Sequence, residues 1–193
     1  MMQRQPKFFK RVNFEKKIGL KKFLEFVEDK EERYELIDGR IHMMASPNVN
    51  HQSLAGEIYR KLGNYLEGKP CRAFISPLDV VLYKKEKDQS QNVFQPDVFV
   101  ICDPGKIDEK RIYGAPDLVF EIISPSSETL DYFKKFWLYM EYGVKEYWII
   151  NPETRRVFIH TNGDEATKKY SFDDKIKVGI FDDFHLDFKE LQI

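Results

Sequence analysis

A single glutamate interrupts an otherwise apolar run, Leu118-Val119-Phe120-Glu121-Ile122-Ile123, which is closed by Ser124-Pro125. Short runs of branched and aromatic residues that end in a turn signal are typical of strands buried on both faces. An ionised carboxylate inside such a strand costs several kcal/mol unless a cation or strong hydrogen-bond donors compensate for it. The run therefore predicts a covered central strand, and it marks Glu121 as a functional residue.

A second isolated acid lies in the preceding apolar run, where Asp97 follows Pro96 between Val93 and Ile101. Neighbouring strands lie about 4.8 Å apart, so Asp97 and Glu121 can share one ion if their strands are adjacent. One or two carboxylates, completed by water and phosphate oxygens, are what Mg²⁺ prefers in proteins. The pair predicts a site for Mg²⁺ or Mn²⁺, and mutual repulsion predicts a raised pKa for at least one of the two acids without metal.

Other interpretations of these acids stay open. Asp97 follows a proline and could instead cap a turn. Asp117 lies on the same face of the strand as Glu121, but four residues at about 3.3 Å each place the two Cα atoms roughly 13 Å apart. We therefore expect Asp97, and not Asp117, to share an ion with Glu121.

A lysine is the third candidate for the site. The helix predicted after the Glu121 strand places Asp131, Lys135 and Tyr139 on one face, since they are four residues apart. The ammonium group of Lys135 could orient the attacking water or stabilise charge on a phosphate. The alternative is an exposed Asp131–Lys135 ion pair worth about 0.3–0.5 kcal/mol. Lys134 points about 100° away and is the weaker candidate. The aromatic residues of this helix are expected in the core rather than on a base-stacking surface: Phe133, Phe136, Trp137 and Tyr142.

Two further side chains are accessory candidates beside Tyr139. Asp38-Gly39, between two apolar segments, predicts a two-residue β-hairpin in which Glu35 lies opposite His42. We expect Glu35 to pair with His42 or Arg40 rather than to bind a metal. His51, near the start of the next predicted helix, is expected to be a structural histidine rather than a base.

The composition limits the class of protein. The chain has 193 residues, of which 42% are hydrophobic, and this is enough for one α/β domain. The chain has 31 Lys and Arg residues and 32 Asp and Glu residues, whereas a protein that coats nucleic acid is normally more basic. This balance does not exclude a nuclease, which needs only a local basic groove and a metal ion. We expect residues 1–17 to form a basic, frayed extension and residues 18–193 to form one domain.

The remaining features predict a cytoplasmic protein. Cys71 and Cys102 lack zinc-ligand spacing, and their small number favours a reducing compartment over a disulfide scaffold. No apolar stretch approaches the length of a membrane span, and the N-terminus lacks the apolar segment of a signal peptide.

Several blocks of the chain, in order, resemble one family, the Uma-type restriction endonucleases, a branch of the PD-(D/E)XK nuclease superfamily. The resemblance covers roughly residues 20 to 190. The blocks are Tyr34-Glu35-Leu36-Ile37-Asp38-Gly39, the His51 helix, Gln95-Pro96-Asp97, Ala115-Pro116-Asp117-Leu118-Val119-Phe120-Glu121, Ile123-Ser124-Pro125-Ser126-Ser127, the helix of Asp131, Lys135 and Tyr139, and Gly143-Val144-Lys145-Glu146-Tyr147-Trp148.

The resemblance implies an α/β fold with a restriction-endonuclease-like core. In that fold a central mixed sheet is flanked by helices, here with an added N-terminal helix and β-hairpin, and a metal site lies at the strand ends. It also implies that Asp97 and Glu121 are the metal-binding acids and that Lys135 is the catalytic lysine. The superfamily usually has its lysine two residues after the second acid, where this chain has Ile123, so the lysine must have moved to the following helix.

The function implied is a Mg²⁺- or Mn²⁺-dependent endonuclease that hydrolyses phosphodiester bonds, with DNA as the expected substrate and no membrane partner. A homodimer is a reasonable expectation, because cutting both strands of a duplex needs two sites. The alternative is a catalytically inactive member of the fold that acts as a binding or regulatory module. Retention of all three polar groups favours the enzyme.

Overall fold

The computed structural model describes residues 17–86, 89–123 and 129–192, and within it the side chains of residues 129–133 are left aside. The expected frayed extension therefore lies outside the described residues except for Lys17. The helices are α1 (Leu20–Val27), α2 (Val49–Leu66) and α3 (Thr129–Glu141). The strands are β1 (Tyr34–Ile37), β2 (Arg40–Met43), β3 (Arg72–Ile75), β4 (Val80–Leu82), β5 (Asn92–Phe94), β6 (Val98–Ile101), β7 (Ile112–Tyr113), β8 (Leu118–Ile122), β9 (Glu146–Asn151), β10 (Arg156–Thr161), β11 (Lys168–Ser171), β12 (Lys175–Lys177) and β13 (His185–Asp187).

The larger sheet has six strands in the order β11-β10-β9-β8-β6-β3. It is mixed, because β8 and β9 run parallel while the other neighbours run antiparallel. Helices cover both faces: Leu118 and Phe120 pack in a cluster with α2, and Val119 packs in a cluster with Tyr139 of α3. Strand β8 is thus buried on both faces, and the predicted mixed α/β core is confirmed.

A second sheet, in the order β2-β1-β5-β4-β7, carries the predicted hairpin, and α1 packs against it. The hairpin turn has positive φ at both Asp38 (55°) and Gly39 (77°), as a type I′ turn requires. The segment from residue 71 to residue 83 forms two strands, β3 and β4, one in each sheet. The Ser76–Pro77 peptide bond between them is cis.

Cys71 and Cys102, interpreted from the sequence as favouring a reducing compartment over a disulfide scaffold, form a disulfide. Strands β3 and β6 pair antiparallel with Arg72 opposite Ile101, so the next residue on each side brings the two cysteines together. They are 31 residues apart in sequence, and only the strand register makes them neighbours.

Of the aromatic residues expected in the core along α3 and just after it, Trp137 differs from expectation. Phe136 and Tyr142 are partly buried against the core, but Trp137 is 67% exposed. The Phe133 side chain is not among those described. Among the described residues, no helix is both long and apolar enough to cross a membrane.

Candidate active site

Asp97 and Glu121 meet between two antiparallel strands of the larger sheet. In the β6–β8 pair Val98 lies opposite Phe120, so Asp97, one residue before β6, stands opposite Glu121. The backbone N–H of Ile122 donates to Asp97 Oδ2 at 2.8 Å, which fixes the aspartate against β8. Both acids are buried, with 8% and 6% of their surface exposed.

Helix α3 brings Lys135 and Tyr139 onto Glu121. Lys135 Nζ lies 3.5 Å from Glu121 Oε1, and the Tyr139 hydroxyl donates to the same oxygen at 3.1 Å. The Lys135 side chain is only 12% exposed, so it does not belong to an exposed ion pair; the Asp131 side chain lies outside those described. Lys134, the weaker candidate, instead pairs with Asp38 at 3.5 Å on the surface.

The Glu35 carboxylate has a partner that the sequence did not indicate. His42 is its backbone neighbour across the hairpin, as expected, and Lys135 Nζ lies 2.8 Å from Glu35 Oε2. Glu35 Oε1 also accepts from the backbone N–H of Gln95 at 3.0 Å. The hairpin pairs with β5, where Leu36 lies opposite Val93, and this non-local pairing turns Glu35 towards α3.

His51 reaches the same site from the opposite side. Asn48 caps α2 by accepting from the His51 backbone N–H at 2.8 Å, which places His51 in the first helical turn. Its Nε2 lies 3.1 Å from Asp97 Oδ2. Burial would lower the pKa of His51, but the hydrogen bond to Asp97 and the nearby negative charges raise it. The structural role expected for His51 is therefore one of holding a candidate metal-binding acid.

The electrostatics of the site favour a protonated acid beside a charged lysine. Burial, helped by the charges of Asp97 and Glu35, raises the pKa of Glu121 to about 8 although Lys135 and the Tyr139 hydrogen bond oppose the shift. This agrees with the predicted raised pKa, although burial contributes more than repulsion. Burial would lower the pKa of Lys135, but Glu121 and Glu35 outweigh it and raise the pKa, so the amine stays an ammonium group. Burial and the same two acids raise the pKa of Tyr139, which stays a hydrogen-bond donor.

Asp117, the rejected alternative, has a structural role. Its carboxylate pairs with Lys145 at 2.7 Å and accepts from the backbone N–H of Cys102 at 2.8 Å. These contacts join the start of β8 to the end of β6 and to the start of β9.

The donor atoms available for a cation are carboxylate oxygens. Within residues 17–86, 89–123 and 129–192, no three His, Cys, Asp or Glu side chains form a metal-ligating group. The hydrogen bonds and ion pairs that described residues make to the two acids end on Asp97 Oδ2 and Glu121 Oε1. Among the described residues, Asp97 Oδ1 and Glu121 Oε2 are therefore the oxygens that could take a ligand role. Two hard oxygen donors fit Mg²⁺ or Mn²⁺, which complete their shells with water and phosphate.

The chain is similar to one protein family, to curated proteins and to a solved structure. The family Uma2, described as "Putative restriction endonuclease", matches residues 20–188. An uncharacterized protein of Synechocystis sp. is 28% identical over 78% of this chain and 77% of its own length. A second uncharacterized Synechocystis protein is 29% identical over 70% of this chain and 75% of its own length. A solved structure from Anabaena variabilis, described as a "putative nuclease belonging to DUF820", superposes with a TM-score of 0.75 at 23% identity, covering 90% of this chain and 97% of that one.

Proposed function

We propose that this chain, which belongs to the Uma2 family, is an endonuclease that hydrolyses phosphodiester bonds of DNA with Mg²⁺ or Mn²⁺ held by Asp97 and Glu121. One observation carries the proposal: a buried lysine lies 3.5 Å from a buried glutamate that stands opposite a buried aspartate. A fold needs no such cluster for stability, because apolar residues of similar volume often stabilise a core equally well. Perturbed acids grouped around one cation are typical of active sites.

The bound cation would act as a Lewis acid and lower the pKa of the attacking water. Asp97 is held for its ligand role by the Ile122 N–H and by His51. Glu121 carries a proton at neutral pH, since its pKa is raised to about 8, and must lose it to become a ligand. Tyr139 then steadies the carboxylate through the bond to Oε1.

Lys135 acts as a charged donor and not as a base, because its pKa is raised and the ammonium form persists. It would orient the attacking water or stabilise negative charge on the phosphate. Glu35 is the positioning residue for Lys135, since it holds Nζ at 2.8 Å without being placed among the ligands. This arrangement assigns the lysine role to a helix, while Ile123 occupies the usual lysine position on the strand.

The DNA substrate, the homodimer and the cytoplasmic location are inferred from the family, and all three belong to the proposal. We propose double-stranded cleavage by a homodimer, which presents two sites to the two strands. The Cys71–Cys102 disulfide removes the cysteine argument for a reducing compartment, so the cytoplasmic assignment depends on DNA as the substrate.

The test combines cleavage with metal binding. Wild-type protein, Glu121→Gln and Glu146→Gln are incubated with plasmid DNA and Mn²⁺ or with EDTA, and Mn²⁺ binding is measured by calorimetry. Glu146 is the matched control, because it is a buried acid on the neighbouring strand outside the site. We expect Glu121→Gln to lose both cleavage and Mn²⁺ binding and Glu146→Gln to keep both. Wild-type protein that binds DNA but neither binds Mn²⁺ nor cuts would instead identify the binding-module alternative.

A further inference from the structure

An open cavity of about 990 Å³ lies between α3, the neighbouring face of β9 and β10, and the loop of residues 161–167. Its described lining is mostly apolar and aromatic, with Phe136, Trp137 and Met140 on the helix side and Ile149 and Phe158 on the sheet side. Asp97, Glu121 and Lys135 do not line it. The cavity is therefore a second feature of the α3 side, separate from the candidate metal site.

The cavity nevertheless begins at the candidate active site. Ile149, which lines it, is the register partner of Glu121 across the β8–β9 pair. Ile123, which also lines it, follows Glu121 by two residues and so projects from the same face of the strand. On α3, Phe136 directly follows Lys135. Ile123 and Ile149 therefore bring one end of the cavity lining next to Glu121 along the sheet.

Three rings cluster on the wall of the cavity next to Trp137's exposed face. The rings of Phe136 and His160 have centroids 4.1 Å apart, and those of Phe136 and Trp137 are 5.0 Å apart. Trp137 is 67% exposed, so one of the largest apolar side chains in the chain is open to solvent beside this wall. Bases stack on such aromatic side chains in proteins that bind single strands.

The charges of the cavity favour a neutral ligand. Asp164 and Glu165 lie in the 161–167 loop. Strand β9 has its active-site end at Asn151, which pairs with Arg156 of β10. The loop follows Thr161 of β10, which pairs with Glu146 at the other end of β9. The acidic loop is therefore remote from Glu121. Lys168 pairs with Asp164 at 3.1 Å, so the loop does not attract a phosphate, while the uncharged part near Glu121 accepts a base.

We propose that this aromatic cavity binds an unpaired base of the nucleotide next to the scissile phosphodiester, with stacking against Trp137. The inference rests on the proposed nuclease function and deepens it: in each strand of the duplex that is cut, the base next to the cut is unpaired and turned into this cavity. A base inside a duplex is already paired and stacked, and it reaches a protein cavity only after unpairing.

Tryptophan fluorescence tests this directly, since the other tryptophan, Trp148, is fully buried and provides a constant background. Wild-type protein in EDTA, where cleavage is suppressed, is titrated with a single-stranded oligothymidylate, with an abasic strand of the same length and with the thymidylate–adenylate duplex. We expect quenching by the single strand and little by the abasic strand or the duplex. Equal quenching by all three, or quenching that depends on protein concentration without any oligonucleotide, would overturn the proposal, the latter by showing that a second copy of the chain covers Trp137.

Variants separate stacking from general binding, with affinity measured by fluorescence anisotropy of a labelled oligonucleotide. Trp137→Ala should weaken single-strand binding about tenfold, and Trp137→Phe should restore most of it. The matched control is Tyr59→Ala, another exposed aromatic, on α2 and hence on the opposite side of the sheet. An unchanged affinity of Trp137→Ala would overturn the proposal even if the protein cuts DNA. A tenfold loss in a protein that never cuts would support the cavity and refute the nuclease.

Discussion

Replacement of Lys135 by methionine tests the least conventional feature of the proposed site, a lysine that is supplied by a helix. Methionine keeps much of the side-chain volume but removes the cation that lies 2.8 Å from Glu35 and 3.5 Å from Glu121. The side chains of Lys135, Glu35 and Glu121 are 12%, 5% and 8% exposed, so solvent screens their charges little. Removal of one partner from a buried ion pair costs about 3–5 kcal/mol.

The stability effect is measurable by thermal unfolding. In a domain of this size 1 kcal/mol corresponds to about 2–4 °C, so Lys135→Met should lower the Tm by roughly 10 °C. The proton already held by Glu121 at neutral pH, with its pKa raised to about 8, keeps the loss towards the lower end of the range. Cleavage measured below the new Tm should fall by about 10²-fold or more, the effect of removing one electrostatic donor. Mn²⁺ affinity should survive, because the ammonium group contributes no ligand.

Lys134→Met is the control for both measurements. Lys134 is 39% exposed and its partner Asp38 is 48% exposed, so their pair is worth at most about 1 kcal/mol. Equal losses of cleavage in the two variants would mean that α3 contributes only general affinity for DNA. Undiminished cleavage by Lys135→Met would remove this lysine from the site.

Three further predictions concern the neighbours of Lys135. Glu121→Gln should become more stable relative to wild type as pH rises from about 4.5 to 8, measured by urea unfolding without metal. The pKa of Glu121 is raised in the folded state, so wild-type protein loses stability across that window. A difference that does not change with pH would contradict the burial argument. His51→Gln should cost more stability at pH 5.5 than at pH 9. Because the pKa of His51 is raised in the folded protein, the histidine stabilises the fold below its unfolded pKa, and this contribution is lost above its folded pKa. A larger cost at pH 9 would refute the prediction. Tyr139→Phe should lower the free energy of unfolding by about 1 kcal/mol, the value of one buried hydrogen bond, and an unchanged value would show that the bond to Glu121 adds nothing.

Local sequence patterns predicted those features that depend on one element alone. The apolar run around Glu121 predicted a strand covered on both faces, Asp38-Gly39 predicted the hairpin turn, and the spacing of Lys135 and Tyr139 predicted that both face one side of α3. Each depends on the period of a strand or helix, or on the φ angles that a turn needs. Residues a few positions apart carry that information.

Features that depend on strand pairing between distant segments escaped prediction. Glu35 and Lys135 are 100 residues apart, and they meet only because the hairpin pairs with β5 while α3 crosses between β8 and β9. The cysteine pair depends in the same way on the register of β3 and β6. The exposure of Trp137 depends on what the fold leaves uncovered, which the helical period of α3 does not specify.

The position of Lys135 on the crossover helix also has a consequence during protein synthesis. A ribosome-bound chain that ends before α3 already contains Glu35, Asp97 and Glu121 but lacks the ammonium group that lies between two of them. The helix can dock only once β9 has emerged and paired beside β8. Under the proposed function, truncated products that end before β9 should therefore leave the DNA of the producing cell uncut, because the site lacks its lysine until β9 has left the ribosome.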